Sequence, residues 1–488
     1  MPSTPESLAA LPLSLAGHSV VVGLGATGLS CARFLSRMGA SFSVVDSREA
    51  PPALSEFKAL FPGADVYLGS LESAAITPVL EGANRLIVSP GVAVSSPAIA
   101  RAKVKGVKIL GDIALFAEFA PAPILAVTGS NGKSTVVALL AAMLRAAGKD
   151  FGLGGNLDGA QFKPALDLLE ESPRSIYLLE LSSFQLETTD ELNAFAVALL
   201  NLSEDHMDRY SDSAEYLSAK QKIFCAAKHA VVNSGNPLTL PPSGTLKQLA
   251  YSVDGPANEG LGINEQGGER FLALNGESFL PVAELKQAGS HDLANALAAT
   301  GLALLAGVSI EAVCAALRSF EGLPHRCEWL GEAGGISFYN DSKGTNVGAA
   351  VAALDSVYAS LTAGSSRVVL IAGGEGKGAN FAPLVPALGR CARALVLIGR
   401  DAERIAESVN AAVCDAENKG SKLQIVFAKS LPEAVRSAVD AAQSGDAVLL
   451  SPACASFDMF ENFQDRGEQF AACVKTYTDA ARVQLAGS

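Results

Sequence analysis

The sequence has 488 residues, of which 49% are hydrophobic and 18% are charged, and its formal net charge is −13. This length predicts about three domains, and this composition excludes fibrous and disordered chains. No block of Lys or Arg accompanies the negative net charge, so we expect no nucleic-acid partner. The eight cysteines include no C-x-x-C pair, which argues against a disulfide or zinc framework.

The N-terminal residues lack the basic start of a signal peptide, and they include Glu6. We interpret residues 1–15 as an extension outside the fold. No apolar run reaches the roughly 18 to 20 residues that a membrane span needs. These features predict a soluble, cytoplasmic protein with no membrane partner.

The first regular unit begins with HSVVVGLGATGLSCARFLSRMGASFSVVDS at residues 18–47. The pattern predicts a strand, a glycine turn, an amphipathic helix and a second strand, which form one βαβ unit. Gly23, Gly25 and Gly28 fit the G-x-G-x-x-G fingerprint of an NAD or FAD site. Asp46 lies where the ribose-binding acid of that fingerprint is expected. Such a turn also lets a strand enter a helix tightly without any ligand, so this stretch alone leaves both interpretations open.

The second unit begins with ILAVTGSNGKSTVVALL at residues 124–140, where an apolar strand runs into a glycine-rich turn and a helical pattern follows. The turn is shorter than the usual phosphate-loop signature, because Val127 stands where its first glycine is expected. Backbone amides of the turn and the helix N-terminus suit phosphate oxygens, and Lys133 adds a positive charge. The hydroxyls of Ser134 and Thr135 suit Mg²⁺. This stretch therefore predicts a nucleoside triphosphate site.

Strands continue to alternate with helical stretches along the rest of the chain. The second unit has predicted strands at 175–180 and 194–202, a hairpin insertion at 234–280 and a helical run at 290–318. The third unit contains three predicted strands, RVVLIAGG, ALVLIG and DAVLLSP. This alternation predicts an α/β fold with parallel, doubly wound sheets and ligands at the carboxyl ends of the strands. The predicted units are residues 1–111, 112–322 and 323–488.

The phosphate loop and several other stretches carry a family resemblance. TGSNGKST at 128–135 resembles the loop of the ATP-dependent Mur ligases and the related folylpolyglutamate synthetases. The resemblance covers essentially the whole chain, and ELSSFQLE, EDHMDRY and SPACASFDMF are typical of the family member that adds D-glutamate. The other matching stretches are GLGATGLS (23–30), SPG (89–91), AKQKIF (219–224), LPHRCE (323–328), NDSKGTN (340–346) and GGEGK (373–377).

The resemblance implies a Rossmann-like N-terminal domain that binds the UDP substrate, a central P-loop ATPase-type domain that binds ATP, and a C-terminal Rossmann-like domain that binds the amino acid. It implies addition of D-glutamate to UDP-N-acetylmuramoyl-L-alanine through an acyl phosphate, in peptidoglycan precursor synthesis. The first glycine turn would then bind UDP rather than a dinucleotide. The expected cofactor is Mg²⁺, at two sites, and the expected assembly is a monomer.

The resemblance also implies roles for individual residues. The implied catalytic residues are Lys133, Glu180, His206 and Lys220, and the implied metal ligands are Ser134, Glu180, His206 and Lys220. The implied ATP-binding residues are Gly129, Ser130, Asn131, Gly132, Lys133, Ser134, Thr135, Asn295, Arg326, Asp341 and Lys343. The implied UDP-substrate residues are Ala26, Thr27, Asp46, Ser47, Arg48, Gly91, Asn156 and Ser182, with Ser89 and Pro90 nearby. Of these, Asn156 and Ser182 would hold the muramoyl-alanine end near the metals. The implied D-glutamate residues are Thr345, Lys377, Ser456 and Phe463.

Lys220 needs a chemical modification to serve as a metal ligand, because Mg²⁺ repels an ammonium group. In the family, the lysine of this motif reacts with CO₂ to form a carbamate, which is anionic. From the sequence alone, Lys220 also fits a surface lysine, since Lys222 stands two residues away. The carbamate on Lys220 is therefore an expectation from the resemblance only.

Other functions stay open at this point. A sister Mur ligase would add a different amino acid, and a folylpolyglutamate synthetase would lack the first unit. A nicotinamide dehydrogenase would use the first glycine turn. A scaffold that has lost catalysis is disfavoured, because all residues implied to be catalytic are present. Three positions depart from the common family pattern, since Asp292 replaces Asn, Glu375 replaces Asp and Gly344 replaces Ala.

Overall fold

The structure is a computed structural model that describes residues 12–157, 163–242, 246–256, 258–286, 289–361, 364–415 and 423–486. Its strands form three sheets of five, nine and six strands, which follow one another along the chain. The predicted α/β class with three successive units is therefore confirmed, whereas the boundaries after residues 111 and 322 stay predictions. Among the described residues, no helix is both long enough and apolar enough to cross a bilayer.

The first sheet contains the predicted βαβ unit. Its elements are β1 (His18–Val22), α1 (Ala26–Arg37), β2 (Ser41–Asp46), α2 (Leu54–Leu60), β3 (Val66–Leu68), α3 (Thr77–Gly82), β4 (Arg85–Val88), α4 (Pro97–Val104) and β5 (Lys108–Leu110). All strands are parallel, in the order β3-β2-β1-β4-β5. A Cβ added at Gly28 would lie 1.9 Å from the carbonyl oxygen of Gly23, so this glycine allows α1 to pack directly on the turn.

The first described residues belong to this unit. Leu13–Leu15 form a short 3₁₀ helix, and Leu15 is fully buried. The carbonyl oxygen of Leu15 accepts a hydrogen bond from Arg85 Nη1 at 3.2 Å. The interpretation of residues 1–15 as an extension is therefore wrong for Leu13–Leu15, whereas residues 1–11 lie outside the described part of the chain.

The second sheet follows the helix α5 (Asp112–Phe119). Its elements are β6 (Ile124–Thr128), α6 (Lys133–Ala146), β7 (Gly152–Gly155), β8 (Tyr177–Glu180), α7 (Ser183–Glu187), β9 (Ala196–Leu199), α8 (Ser213–Gln221), β10 (His229–Asn233), β11 (Lys247–Tyr251), β12 (Leu261–Gln266), β13 (Glu269–Leu274), β14 (Glu277–Pro281), α9 (Ser290–Leu305) and α10 (Ile310–Ser319). The order is β14-β13-β12-β11-β10-β9-β6-β8-β7. Strands β12, β13 and β14 pair antiparallel and the others pair parallel, so the predicted insertion extends a parallel sheet at one edge.

The third sheet contains the three strands predicted for this unit. Its elements are β15 (Glu328–Ala333), β16 (Ile336–Asn340), α11 (Val347–Ser360), β17 (Val368–Gly373), α12 (Leu384–Cys391), β18 (Ala392–Ile398), α13 (Ala402–Asp415), β19 (Gln424–Phe427), α14 (Leu431–Ala441), β20 (Ala447–Leu450) and α15 (Phe463–Ala486). The order is β15-β16-β20-β17-β18-β19, and only β15 pairs antiparallel. Alternate residues of the central strands are buried on opposite faces, as for Val369 and Leu370, because helices cover both faces.

A buried carboxylate stabilises the start of β20. Asp446 is 1% exposed, and it accepts hydrogen bonds from the backbone N–H of Arg367 at 2.7 Å and of Gln443 at 2.8 Å. The guanidinium of Arg393 donates to both of its oxygens. Burial alone would raise the pKa of Asp446, but the hydrogen bonds from Arg393 and the two backbone N–H groups outweigh it and lower this pKa.

Replacement of Asp446 by Asn is expected to lower the free energy of unfolding by about 2–4 kcal/mol at neutral pH, because the guanidinium of Arg393 then loses its carboxylate partner. Urea denaturation at pH 7 measures this difference. A carboxylate with a lowered folded-state pKa stabilises the fold above its unfolded pKa of about 4, and this stability is lost as the pH falls further. The difference should therefore shrink below about pH 4. Asp440→Asn, at an exposed position on α14, serves as the control and should change stability little.

Candidate active site

Three cavities lie where strands of the sheets end. The central cavity, of about 400 Å³, lies over the phosphate loop and includes Lys133 and Glu180 in its wall. The side cavity, of about 730 Å³, includes Asn295 and Asp341. The N-terminal cavity, of about 480 Å³, lies at the first glycine turn and includes Asp46. Glu180 and Asp46 are the last residues of β8 and β2, as expected for ligand sites of α/β sheets.

The phosphate loop connects β6 to α6. Gly132 precedes α6 with a φ of 82°, and a Cβ at this position would lie 2.4 Å from Asn295 Oδ1. The loop therefore requires glycine here. Lys133 Nζ folds back over the loop and donates hydrogen bonds to the carbonyl oxygens of Gly129 at 2.9 Å and Ser130 at 3.1 Å. This geometry holds an ammonium group beside the N-terminus of a helix, where anions bind favourably.

A hydrogen-bonded group joins the loop to β8 and to the third unit. Ser134 Oγ donates to Glu180 Oε2 at 2.6 Å, and Asn156 Nδ2 donates to Glu180 Oε1 at 3.0 Å. Arg326 Nη2 donates to Ser134 Oγ at 2.8 Å, so the third unit contacts the phosphate loop directly. Glu180 is only 2% exposed. A carboxylate and a hydroxyl at a phosphate loop are the oxygen ligands that Mg²⁺ prefers, together with phosphate oxygens and water.

Lys220 lies on α8, and its side chain is buried in the wall of the central cavity, with the residue 2% exposed. Its Nζ donates to the carbonyl oxygen of Gly129 at 2.9 Å and lies 3.5 Å from Thr128 Oγ1. The pKa of Lys220 lies well below its ordinary value, because burial disfavours the ammonium form and because Lys133 is nearby. A lowered pKa makes the neutral amine accessible, and the neutral amine is the form that can react with an electrophile.

His206 lies in the loop after β9, and it also lines the central cavity. Its backbone is in the left-handed region with a φ of 59°, an uncommon conformation that often occurs at functional sites. The ring packs against Phe184 with the centroids 4.7 Å apart, and Nε2 lies 3.7 Å from Asp205 Oδ2. Burial lowers the pKa of His206 and favours the neutral ring.

All four residues implied as metal ligands line the central cavity, and Ser134 and Glu180 are in direct contact. In the described part of the chain, no three His, Cys, Asp or Glu side chains are grouped closely enough to hold a metal ion by themselves. Any Mg²⁺ here would need phosphate oxygens or further ligands, which is usual for this ion. The metal roles of His206 and Lys220 stay predictions.

The residues implied for D-glutamate all line the central cavity from the third unit. They are Thr345, Lys377, Ser456 and Phe463. Lys343 Nζ lies 3.9 Å from the ring centroid of Phe463, so the ammonium group of Lys343 makes a cation–π contact with this ring. Lys377 has a φ of 49°, which is again uncommon for a residue other than glycine. Glu375, which departs from the family pattern, forms an ion pair with Arg400 at 2.8 Å instead of entering the cavity wall.

Asn346 attaches the third unit to the phosphate loop, and the sequence analysis assigned it no role. Its side-chain amide exchanges hydrogen bonds with that of Asn131, at 3.0 and 3.2 Å. Its Nδ2 also lies 3.2 Å from Asp205 Oδ2, and its Oδ1 caps α11. The only feature of the sequence that pointed to Asn346 was its position inside NDSKGTN. A contact between residues 131 and 346 cannot be inferred from the spacing of nearby residues.

The side cavity is lined by seven of the residues implied for ATP, some of which also line the central cavity. They are Asn131, Gly132, Thr135, Asn295, Arg326, Asp341 and Lys343. Asp341 Oδ2 accepts a hydrogen bond from Ser451 Oγ at 2.6 Å, and burial raises the pKa of Asp341 to about 6. Tyr251 and Val253, which lie within the predicted insertion at 234–280, also line this cavity and were not predicted.

Asp292, the second departure from the family pattern, lines the side cavity. Its Oδ1 lies 3.2 Å from His291 Nε2, and its Oδ2 accepts a hydrogen bond from the backbone N–H of Gly289 at 3.2 Å. Burial raises the pKa of this carboxyl group. Its oxygens are therefore occupied by neighbouring protein donors at the start of α9.

The N-terminal cavity collects most residues implied for the UDP substrate. They are Ala26, Thr27, Asp46, Ser47, Arg48, Ser89, Pro90, Gly91 and Asn156. Asp46 accepts hydrogen bonds from the backbone N–H groups of Leu24 at 2.6 Å and Arg48 at 2.9 Å, and from the Arg48 guanidinium at 2.9 and 2.7 Å. This carboxylate is already saturated by protein donors, which does not favour the ribose contact of a dinucleotide site.

Ser182 and Gly129 lie apart from the other residues of their implied groups. Ser182 lines the central cavity with the implied metal ligands, near which the muramoyl-alanine end was expected, and its Oγ caps α7 by accepting from the N–H of Gln185 at 3.2 Å. Gly129 is not among the residues that line the three cavities, and its carbonyl oxygen accepts hydrogen bonds from both Lys133 and Lys220. Asn156 lines both the central and the N-terminal cavities, so these two cavities adjoin.

Family models match most of the chain in three consecutive segments. Residues 17–111 match the Mur ligase MurD-like N-terminal domain, residues 127–303 the Mur ligase middle domain, and residues 325–454 the glutamate ligase domain of Mur ligases. Among solved structures, UDP-N-acetylmuramate-alanine ligase MurC from Thermotoga maritima superposes with a TM-score of 0.55 at 19% identity, over 95% of this chain and 100% of that one. This structural similarity concerns the fold alone.

Curated relatives are similar over nearly their full length. The UDP-N-acetylmuramoylalanine–D-glutamate ligase of Marinobacter nauticus is 47% identical over 459 residues, which cover 94% of this chain and 98% of that protein. The ligase of the same name from Pseudomonas aeruginosa is 46% identical over 93% of this chain and 97% of its own length. Similarity of this extent and identity shows that the chain belongs to the Mur ligase family.

Proposed function

We propose that this protein is the ATP-dependent ligase that adds D-glutamate to UDP-N-acetylmuramoyl-L-alanine in cytoplasmic peptidoglycan precursor synthesis. The observation that carries the proposal is the contact of Ser134 with both Glu180 and Arg326 at the phosphate loop. This contact brings a carboxylate, a hydroxyl and a guanidinium from two units to one point beside a loop suited to phosphates. Nearly full-length similarity to ligases of this name supports the choice of substrates.

The reaction must bring two anions together, the substrate carboxylate and the γ-phosphate of ATP. The amides of the phosphate loop and Lys133 bind the phosphates, and Arg326 offsets the negative charge on the transferred group. Transfer of the γ-phosphoryl group to the carboxylate forms an acyl phosphate and releases ADP. The neutral amino group of D-glutamate then attacks the acyl carbon, and phosphate leaves with the electrons of the broken C–O bond.

D-glutamate carries two carboxylates, so its pocket needs cations and hydroxyl groups. Lys377, Thr345 and Ser456 supply these groups on the third-unit side of the central cavity, and Phe463 forms an apolar wall. The amino acid then lies opposite Glu180, where the acyl phosphate forms.

Two Mg²⁺ sites fit the donor groups of the central cavity. Ser134 and Glu180 would hold one ion against the phosphates, and His206 and a carbamylated Lys220 would hold the second. When bound, Mg²⁺ neutralises phosphate charge and stabilises the charge that develops during transfer. The burial of Lys220 supports the carbamate, because burial and nearby Lys133 disfavour the ammonium form more strongly than the more distant carboxylates of Asp205 and Glu180 favour it, and its hydrogen bonds go to neutral acceptors.

The assignment is tested by phosphate release from ATP in the presence of UDP-N-acetylmuramoyl-L-alanine. We expect release with D-glutamate and none above background with L-glutamate, L-alanine, L-lysine or meso-diaminopimelate. Release with one of the other amino acids would identify a sister ligase instead. ATP binding without release with any of them would favour a scaffold, and fluorescence titration that detects NADH binding would favour a dehydrogenase.

A further inference from the structure

Asp112 is a buried carboxylate in the wall of the N-terminal cavity, and the reaction described above does not use it. It is the first residue of α5 and is 2% exposed. Its Oδ2 accepts a long hydrogen bond from Gln185 Nε2 at 3.4 Å. The backbone N–H groups of Asp112 and Ile113 lie near the carboxyl group, but among the described residues no donor reaches Oδ1 with hydrogen-bond geometry. A buried acceptor without a donor destabilises the protein unless a ligand supplies one. Burial also raises the pKa of Asp112 to about 6.

The position of Asp112 indicates which part of a ligand lies next to it. The residues that line this cavity include the glycine turn and Arg48 as well as Asp112, Asn156 and Gln185. Asn156 also lines the central cavity, and Gln185, which contacts Asp112, accepts a hydrogen bond from the backbone N–H of Ser182 there. Asp112 is thus linked to the part of the wall that adjoins the central cavity, where the sugar of a substrate with UDP at the turn and a carboxylate in the central cavity would lie.

The chemistry of this middle part suits a carboxylate acceptor. Phosphate groups carry negative charge and would be repelled by Asp112, so they fit the turn and Arg48 better. An N-acetylated sugar presents hydroxyl groups and an amide N–H, which are hydrogen-bond donors. A donor at Oδ1 would satisfy the one unpaired oxygen of Asp112.

We propose that Asp112 is a sugar-binding residue, which accepts at Oδ1 a hydrogen bond from a hydroxyl or the acetamido N–H of the UDP-linked sugar. This role rests on the proposed function, since it assumes a UDP-linked amino sugar as substrate. It makes Asp112 a residue that distinguishes the sugar nucleotide from free UDP.

Calorimetric titration of the full-length chain with two ligands, UDP-N-acetylmuramoyl-L-alanine and UDP, tests this role. Asp112→Asn keeps the shape but removes the ionised acceptor, so we expect its affinity for the sugar nucleotide to fall roughly ten- to a hundredfold. Its affinity for UDP should stay within about twofold of wild type, since no phosphate or uridine contact changes. Glu118→Gln removes an exposed carboxylate from the same helix and should bind both ligands like wild type.

The remaining outcomes separate this role from the proposed function. A variant that binds the sugar nucleotide as tightly as wild type would overturn the sugar contact alone. So would a variant whose affinity for UDP falls as much as its affinity for the sugar nucleotide. A wild-type chain that fails to bind the sugar nucleotide would overturn the proposed function and this role with it. Folding of the variant is checked by its thermal midpoint, which should not fall, because the amide removes a buried charge. In turnover assays the variant should raise KM for the sugar nucleotide and leave KM for ATP and D-glutamate unchanged.

Discussion

Replacement of Lys220 by Ala is expected to lower kcat by roughly a hundred- to a thousandfold, the usual loss when one charge-stabilising group of an active site is removed. The buried Nζ lies beside Gly129 at the phosphate loop, so the carbamate that we propose would face the same phosphates. Removal of the side chain leaves a space that a small carboxylate can enter. Formate or acetate should therefore restore part of the activity, and steady-state kinetics with increasing carboxylate concentration measures this rescue.

The matched control for this prediction is Lys222→Ala. Lys222 Nζ donates to the carbonyl oxygen of Glu187 at 2.7 Å, and this residue does not line the central cavity. The control should keep activity within about twofold of wild type, as most surface substitutions do. An active Lys220→Ala variant, or an inactive one that no carboxylate rescues, would contradict the carbamate. Loss of wild-type activity in bicarbonate-free buffer would support it.

Glu180→Gln is expected to lower kcat by roughly a hundred- to a thousandfold, because the variant keeps the size of the side chain but loses its charge. The amide oxygen can still accept from Ser134 or Asn156, so the fold around β8 should persist. The Mg²⁺ concentration for half-maximal activity should rise, since an amide is a weaker ligand than a carboxylate. Initial rates across a Mg²⁺ series measure both effects.

An exposed acid near the start of β9 provides the comparison for Glu180. Glu191→Gln removes one negative charge from the same unit and should leave kcat and the Mg²⁺ requirement unchanged. A Glu180→Gln variant with an unaltered Mg²⁺ requirement would show that this carboxylate does not bind the ion. If the variant keeps a kcat within tenfold of wild type, Glu180 is not a catalytic residue.

The local parts of the fold and the site could be predicted from the sequence. The phosphate loop consists of consecutive residues, so the sequence pattern alone predicted its strand, glycine turn and helix. The strands β17, β18 and β20 are continuous apolar runs and were predicted, whereas β19 and the β15–β16 hairpin are only partly buried and include polar residues, and they were not. Propensity is weak in such segments, because neighbouring strands decide their pairing.

Contacts between distant residues could not be predicted from spacing. The hydrogen bond of Arg326 to Ser134 joins positions 192 residues apart, and only the family resemblance suggested that they meet. Lys220 and Lys222 look alike in the sequence, yet the first is buried and the second is partly exposed. Asp112 resembles an ordinary acid at the start of a helix, and only tertiary packing leaves one of its oxygens without a donor in the part of the chain that the structure describes.

The walls shared by the three cavities have a consequence for inhibitor design. Arg326 and Lys343 line both the central and the side cavities, and Asn156 lines both the central and the N-terminal cavities. A compound that spans two adjoining cavities would touch residues that serve two substrates at once. A substitution that excluded such a compound would also impair binding of a natural substrate, so resistance at these shared walls would come with a loss of fitness.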